Sequence, residues 1–237
     1  MRAPLSIVIP TLNAAGHLPD TLASLVEGLE RGILREVVIS DALGPDGQGD
    51  AATARLADQS GAVLLTGAPG RGGQLRRGAE AAGGDWLLFL HADTRLAPGW
   101  SGAVLRHITQ HPASAGWFRL RFSSAGGPAG MVAAWANLRA RMGLPFGDQG
   151  LLISRALYDR VGGYPDIALM EDMALARALR GRLVALDGAA VTSPERYQKS
   201  GWVCQGLQNI WRQIRFMAGA DPAKLARSYD RTGRKLR

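Results

Sequence analysis

Carboxylates stand at separate points of the chain where chemistry could use them. The apolar run at residues 86–90 (WLLFL) ends in His91-Ala92-Asp93, the run at 36–40 (EVVIS) ends in Asp41, and Met170 precedes the adjacent pair Glu171-Asp172. In open α/β sheets the ligand crevice lies beyond the carboxyl ends of the strands, so an acid following such a run sits at its lip. At Asp93 it suits a hard cation such as Mg²⁺ or Mn²⁺, which takes one or two carboxylates and fills its shell with water and phosphate oxygens. The competing reading is a cap on the turn before Pro98. Asp41 could accept hydrogen bonds from a base or from ribose hydroxyls. Glu171 and Asp172 either complement the dipole of a helix they open or supply a general base beside a pocket.

Other polar groups fall near these acids in the same loops. Thr11 and Asn13 follow the strand-like run at 5–9 and could read a base or ribose, or serve helix entry. A glycine-rich turn at 67–73 opens onto a helix and carries Arg71, an arrangement that lets backbone N–H groups and a guanidinium approach phosphate. The spacing of Gly67, Gly70, Gly72 and Gly73 fits neither the Walker nor the dinucleotide pattern, which disfavours a P-loop ATPase or a nicotinamide enzyme. Asp148 and Gln149 could face a sugar's hydroxyls or bond to their own backbone. Arg196 and Lys199 could fold back over a diphosphate as part of a closing lid. Asp50 is better explained as a helix cap.

Positioning these groups requires an ordered scaffold. Runs at 5–9, 36–40, 63–66 and 86–90 read as strands, and apolar residues at helical spacing follow most of them. Five unbroken apolar residues at 86–90 suit a strand covered on both faces, although so short a run is also compatible with a buried helix. The alternation predicts an α/β fold: a mostly parallel sheet with helices on both faces. Residues 115–122 alternate partly, like an exposed strand; 131–142 read as a helix, 151–154 as a strand, and a further helix runs from Glu171 towards Gly181.

The chain has 237 residues, 46% of them hydrophobic, enough for one large domain, which we assign to 1–200, with a helical extension at 201–237. No apolar run approaches the roughly 20 residues of a membrane span, and the N-terminus lacks a signal-peptide core of adequate length. One cysteine, Cys204, excludes an intrachain disulfide framework and fits a cytoplasmic setting. The net charge is +8, and residues 202–237 hold eight basic side chains against two acidic ones. In that extension Trp202, Leu207, Ile210, Trp211, Ile214 and Met217 form an apolar stripe beside Arg212 and Arg215. Such a helix docks on its own domain, pairs with a second copy as a homodimer, or lies peripherally on an anionic membrane. Nucleic-acid binding, suggested only by the basic composition, lacks a reader motif or an aromatic platform.

Taken in order, SIVIPTLNA at 6–14, EVVISD at 36–41, GRGGQLRRGAEAAGGDWLLFLHADT at 70–94, GDQGLLISRALYDRVGGYP at 147–165 and MEDMALARALR at 170–180 resemble the family 2 glycosyltransferases. The resemblance covers about residues 1–182. HADT, GDQG and the basic tail look more narrowly like a bacterial subgroup, the radical-SAM/selenodomain-associated transferases. The resemblance implies a GT-A-type, Rossmann-like fold and an inverting transfer of a sugar from a nucleoside-diphosphate sugar to a hydroxyl acceptor. It implies Thr11, Asn13 and Asp41 around the nucleoside and Arg71 near the base or diphosphate. It also implies Asp93 on Mg²⁺ or Mn²⁺, and Asp172 as the base, with Glu171 as the alternative. The departure is His91, standing where the family's metal motif has its first carboxylate; neutral imidazole suits softer ions, so His91 is expected to contact the donor or pack. That departure motivates the alternative of an inactive nucleotide-sugar or partner-binding protein of the same fold.

Overall fold

In a computed structural model of the chain, the described residues are 3–124, 126–195, 197 and 201–226. The first half is built from strands β1 (Leu5–Thr11), β2 (Leu34–Ala42), β3 (Val63–Gly67) and β4 (Trp86–Phe89), all parallel. Helices α1 (Leu18–Ser24), α2 (Val26–Glu30), α3 (Ala51–Ser60) and α4 (Arg71–Ala81) connect them. The helix expected from Leu18 onward is divided at Leu25, whose backbone closes the first segment and opens the second. Asp50 caps α3 as expected, its carboxylate accepting from the N–H groups of Ala52 and Thr53 and from the Thr53 hydroxyl.

The second half contributes β5 (Thr94–Leu96), β6 (Ala115–Phe122), β7 (Leu151–Ser154) and β8 (Leu183–Thr192). The helices are α5 (Trp100–Gln110), α6 (Gly127–Arg141), α7 (Arg155–Arg160), α8 (Glu171–Ala178) and α9 (Trp202–Met217). One eight-stranded sheet results, in the order β3-β2-β1-β4-β7-β6-β8-β5, with β7 and β5 antiparallel to their neighbours. The expected mostly parallel sheet flanked by helices is what forms. Several features depart from expectation: β5, α5 and α7 were not foreseen. β6 is an interior strand between β7 and β8, with Trp117 and Phe118 at 2% and 0% exposure, and β8 was not foreseen.

The period of two in a strand explains why the central runs are apolar throughout. In β1, Ile7 and Ile9 enter one core with Trp100 and Phe118, while Val8 points to the other with Tyr158 and Tyr164. In and after β4, Leu88 and Leu90 join the first core, and Leu87 and Phe89 the second. Each such side chain contributes about 1.5–3 kcal/mol on burial, so both layers hold the sheet and fix its register.

Candidate active site

Strand ends in the parallel half gather one group of polar side chains. Thr11 and Asp41 are adjacent in register on β1 and β2, and the Thr11 hydroxyl donates to Asp41 Oδ1 at 2.7 Å. Asp41 Oδ2 accepts from the backbone N–H of Asp50 at 2.8 Å. From α4 the buried amide of Gln74 donates to the carbonyls of Thr11 and Ser40 at 2.7 and 2.8 Å, and Arg77 donates to the Asp41 carbonyl at 3.2 Å. Asn13 lies exposed just beyond, at φ 52°. A cleft of about 260 Å³ runs along α4 and the turn before it, lined by Pro69, Gly70, Gly73, Arg76, Arg77 and Asp166, and Thr11, Asn13 and Asp41 are not among its lining residues.

A second group forms where the antiparallel strands end. Thr94 donates its backbone N–H to the His91 carbonyl at 3.2 Å, and Ser193, just after β8, donates to the Asp93 carbonyl at 3.2 Å. These bonds and the β5–β8 ladder hold the His91–Asp93 turn in place. Opposite it stands the 3₁₀ turn Gly147–Gln149, with the start of α8 beside it. Gly147 shows how closely the parts converge: a Cβ there would lie 2.2 Å from His91 Nε2 and 3.0 Å from Asp172 Oδ2. Its own N–H donates to Asp172 Oδ2 at 3.1 Å.

Cations balance these acids. Arg71 pairs through Nε with Glu171, which is fully buried, and its Nη2 lies 3.7 Å from Asp172 Oδ2. The structure thus brings Arg71 to the α8 carboxylates. Gly72 makes this start of α4 possible, since a Cβ there would lie 2.3 Å from the Pro165 carbonyl oxygen. Arg139 of α6, which the sequence reading missed, is 7% exposed, with its guanidinium 3.4 Å from the Phe146 ring centroid. It donates to the Leu144 carbonyl at 3.0 Å, which supports the turn leading to Gly147. Asn137, also on α6, accepts from the Gln149 side-chain amide at 3.2 Å, so Gln149 is tied into the frame.

Burial pushes the Asp148 carboxyl up from its ordinary value, Arg139 opposes that, and the charges of Asp172 and Asp93 push it further up. Asp172 and Asp93 thus both lie within electrostatic reach of Asp148. Burial also raises Glu171, against the pull of Arg71, and Asp172 adds to the rise. Among the described residues, Asp148 Oδ1, Glu171 Oε2 and Asp172 Oδ1 are buried without a hydrogen-bond partner. Unpaired buried carboxylate oxygens are costly and collect at functional sites. A raised folded-state value means that stability is lost as pH rises from the ordinary carboxylate range through that value, with the whole cost present above it. Asp148→Asn is therefore expected to raise Tm at neutral pH and to flatten the loss of stability above the acid range, as read by thermal melts across pH.

Asp93 lies on a partly exposed turn, and no group of three or more His, Cys, Asp or Glu forms a metal cage among the described residues. One carboxylate on an accessible turn fits a cation that takes its other ligands from phosphate and water, and not an enclosed structural metal. Met170, which precedes the Glu171-Asp172 pair, has φ 71°. For a non-glycine residue that conformation costs about 1–2 kcal/mol and is met where a fold aims particular side chains. Of the expected site residues, Arg196 and Lys199 lie outside the described residues.

Solved structures with this architecture include residues 1–349 of S. aureus TarS, at 18% identity and TM-score 0.61, covering 89% of this chain and 64% of that one. The same fragment has been solved with UDP-GlcNAc. Another is the mannosyltransferase PcManGT from Pyrobaculum calidifontis with GDP-Man and Mn²⁺, at 20% identity and TM-score 0.58, covering 81% of this chain and 57% of that one. A third is glucosyl-3-phosphoglycerate synthase from Mycobacterium tuberculosis with Mn²⁺, UDP and glucosyl-3-phosphoglycerate, at 19% identity and TM-score 0.51, covering 80% and 70%. This chain spans less than two thirds of the TarS fragment and of PcManGT. No curated protein sequence matches it. The family model described as "Glycosyl transferase family 2" matches residues 6–149, more than half of the chain and every strand end described above except those that follow Gln149. By that match, carried on a GT-A-like sheet, the chain belongs to glycosyl transferase family 2.

Proposed function

We propose that the protein is an inverting glycosyltransferase that moves a sugar from a nucleoside-diphosphate sugar to a hydroxyl acceptor. The observation that supports this reading is the meeting of the His91–Asp93 turn, through His91, with Asp172 at Gly147, which brings the turn we assign to the donor's cation close to the carboxylate we assign as base. Nucleotide-sugar complexes of structures with the same fold support the donor class, and the Mn²⁺ in two of them supports a divalent cation at Asp93. Mg²⁺ or Mn²⁺ bound there would offset charge on the diphosphate leaving group. HADT and GDQG further favour the radical-SAM/selenodomain-associated subgroup.

In this mechanism Thr11, Asn13 and Asp41 bind the nucleoside and Asp148 faces the sugar, while Gln149, expected beside it, is fully buried with its amide spent on Phe146, Phe118 and Asn137 and holds the turn instead. Asp172 takes the proton of the acceptor hydroxyl as that oxygen bonds to the anomeric carbon, and the bond from that carbon to the diphosphate oxygen breaks on the opposite side. Glu171, buried and paired to Arg71, fixes α8 and the guanidinium, and we assign the base to Asp172 because its side chain keeps 9% exposure where that of Glu171 has none. His91 in place of a carboxylate favours a second reading, a binding protein of this fold without turnover. Thermal melts with UDP, GDP and their sugars, with and without Mn²⁺, separate these readings when followed by donor hydrolysis. A donor at a hundred times its Kd adds about 2.7 kcal/mol, a shift of roughly 5–10 °C for a chain of this size. No shift with any nucleotide sinks both readings, and a shift without hydrolysis or transfer supports the second.

A further inference from the structure

α6 has two faces. Ala129, Ala136, Arg139 and Ala140 are buried, whereas Met131, Trp135, Leu138 and Met142 at its other side are exposed by 74, 44, 49 and 63%. Steps of 100° per residue put those four within an arc of about 60°, a continuous apolar stripe. α9 packs beside α6. Its N-terminal end is anchored to the domain, Trp202 lying edge-on to Phe122 at 5.0 Å and stacked on Tyr197 at 5.1 Å. Docking on the domain does not consume its apolar side, because Trp211, Ile214 and Met217 remain exposed by 61, 48 and 53%. Two neighbouring helices thus leave large apolar side chains in water, more than a surface carries without a partner.

Charge identifies the occupant. Neither α6 nor α9 contains an Asp or Glu, while Arg141 and Arg215 border the apolar residues. A two-fold pairing with a second copy would set the same basic border against itself. An anionic surface complements it, and tryptophan on a basic amphipathic helix is what sits at the boundary between headgroups and acyl chains. No helix among the described residues is long and apolar enough to cross a membrane, so the contact is one of lying on the surface. We infer that the α6–α9 face rests on an anionic lipid bilayer, with Trp135 and Trp211 inserted at the headgroup level and Arg141 and Arg215 against lipid phosphates.

Co-sedimentation of the full chain with vesicles tests this. The full chain is expected to bind vesicles of equal parts phosphatidylcholine and phosphatidylglycerol at least tenfold more tightly than pure phosphatidylcholine, and to lose that preference in high salt. Trp135→Ser combined with Trp211→Ser is expected to weaken vesicle binding at least tenfold while retaining the nucleotide-induced thermal shift, which shows that it is folded. Arg141→Glu with Arg215→Glu should abolish the preference for the anionic lipid. Equal binding of the tryptophan double variant and the unaltered chain overturns the proposal. So does a concentration-dependent dimer in analytical ultracentrifugation that the tryptophan substitutions dissociate without any vesicle binding by the unaltered chain, which would make the face a contact between copies.

Discussion

Asp172→Asn is expected to lower the rate of sugar transfer by about 10²–10⁴-fold, the range a positioned general base supplies, and to leave donor affinity within a factor of about two. Asparagine keeps the size of the side chain and an oxygen for the Gly147 N–H that now donates to Asp172 Oδ2 at 3.1 Å. It removes the carboxylate's charge, and with it the capacity to take a proton and the weak pairing with Arg71 Nη2 at 3.7 Å. The buried Glu171–Arg71 pair should keep α8 in place, so a loss of activity would not report collapse of the site. Steady-state transfer measured alongside calorimetric donor binding distinguishes the two quantities. Transfer by Asp172→Asn at the unaltered rate, with loss in Glu171→Gln, would move the base to Glu171.

Asp93→Ala is expected to act on the other substrate. With Mn²⁺ present, donor affinity should fall by roughly 10²-fold or more, because groups that merely orient a metal's ligands are worth tenfold to a hundredfold and Asp93 would be a direct ligand. The affinity remaining in Asp93→Ala should match that of the unaltered chain measured with a chelator. The turn itself should survive, since the Thr94 and Ser193 bonds that shape it use backbone groups. If Mn²⁺ strengthens donor binding equally in both proteins, Asp93 is not the cation's ligand.

The positions of the candidate residues at the ends of the parallel strands were legible in the sequence because a buried strand leaves a dense local signature, an apolar run stopped by polar residues. Asp41 and Asp93 are both of this kind. Arg139 was not legible. In the series Leu138-Arg139-Ala140-Arg141 it reads as one of two cations complementing a helix end, and only the Phe146 ring and the Leu144 carbonyl, brought back by the next turn, distinguish it from Arg141. Gln74 was hidden in the same way among the arginines of α4, although it faces two strand ends. β8 escaped notice because small residues and the Asp187-Gly188 step interrupt its pattern, and its pairing with β6 shifts register near there. The Glu171-Asp172 pair could be found from its position before a helix, but which member faces the cleft depends on where Arg71 comes from, a hundred residues away.

The two amide hydrogens of Gln74 clasp the carbonyls of Thr11 and Ser40 at once. Prising those strand ends from α4 would strand buried donors and acceptors, at about 1–3 kcal/mol for each group left bare. These two strand ends therefore behave as a fixed jaw already set to shape, and under the proposed function the nucleoside would meet a surface that need not rearrange to receive it.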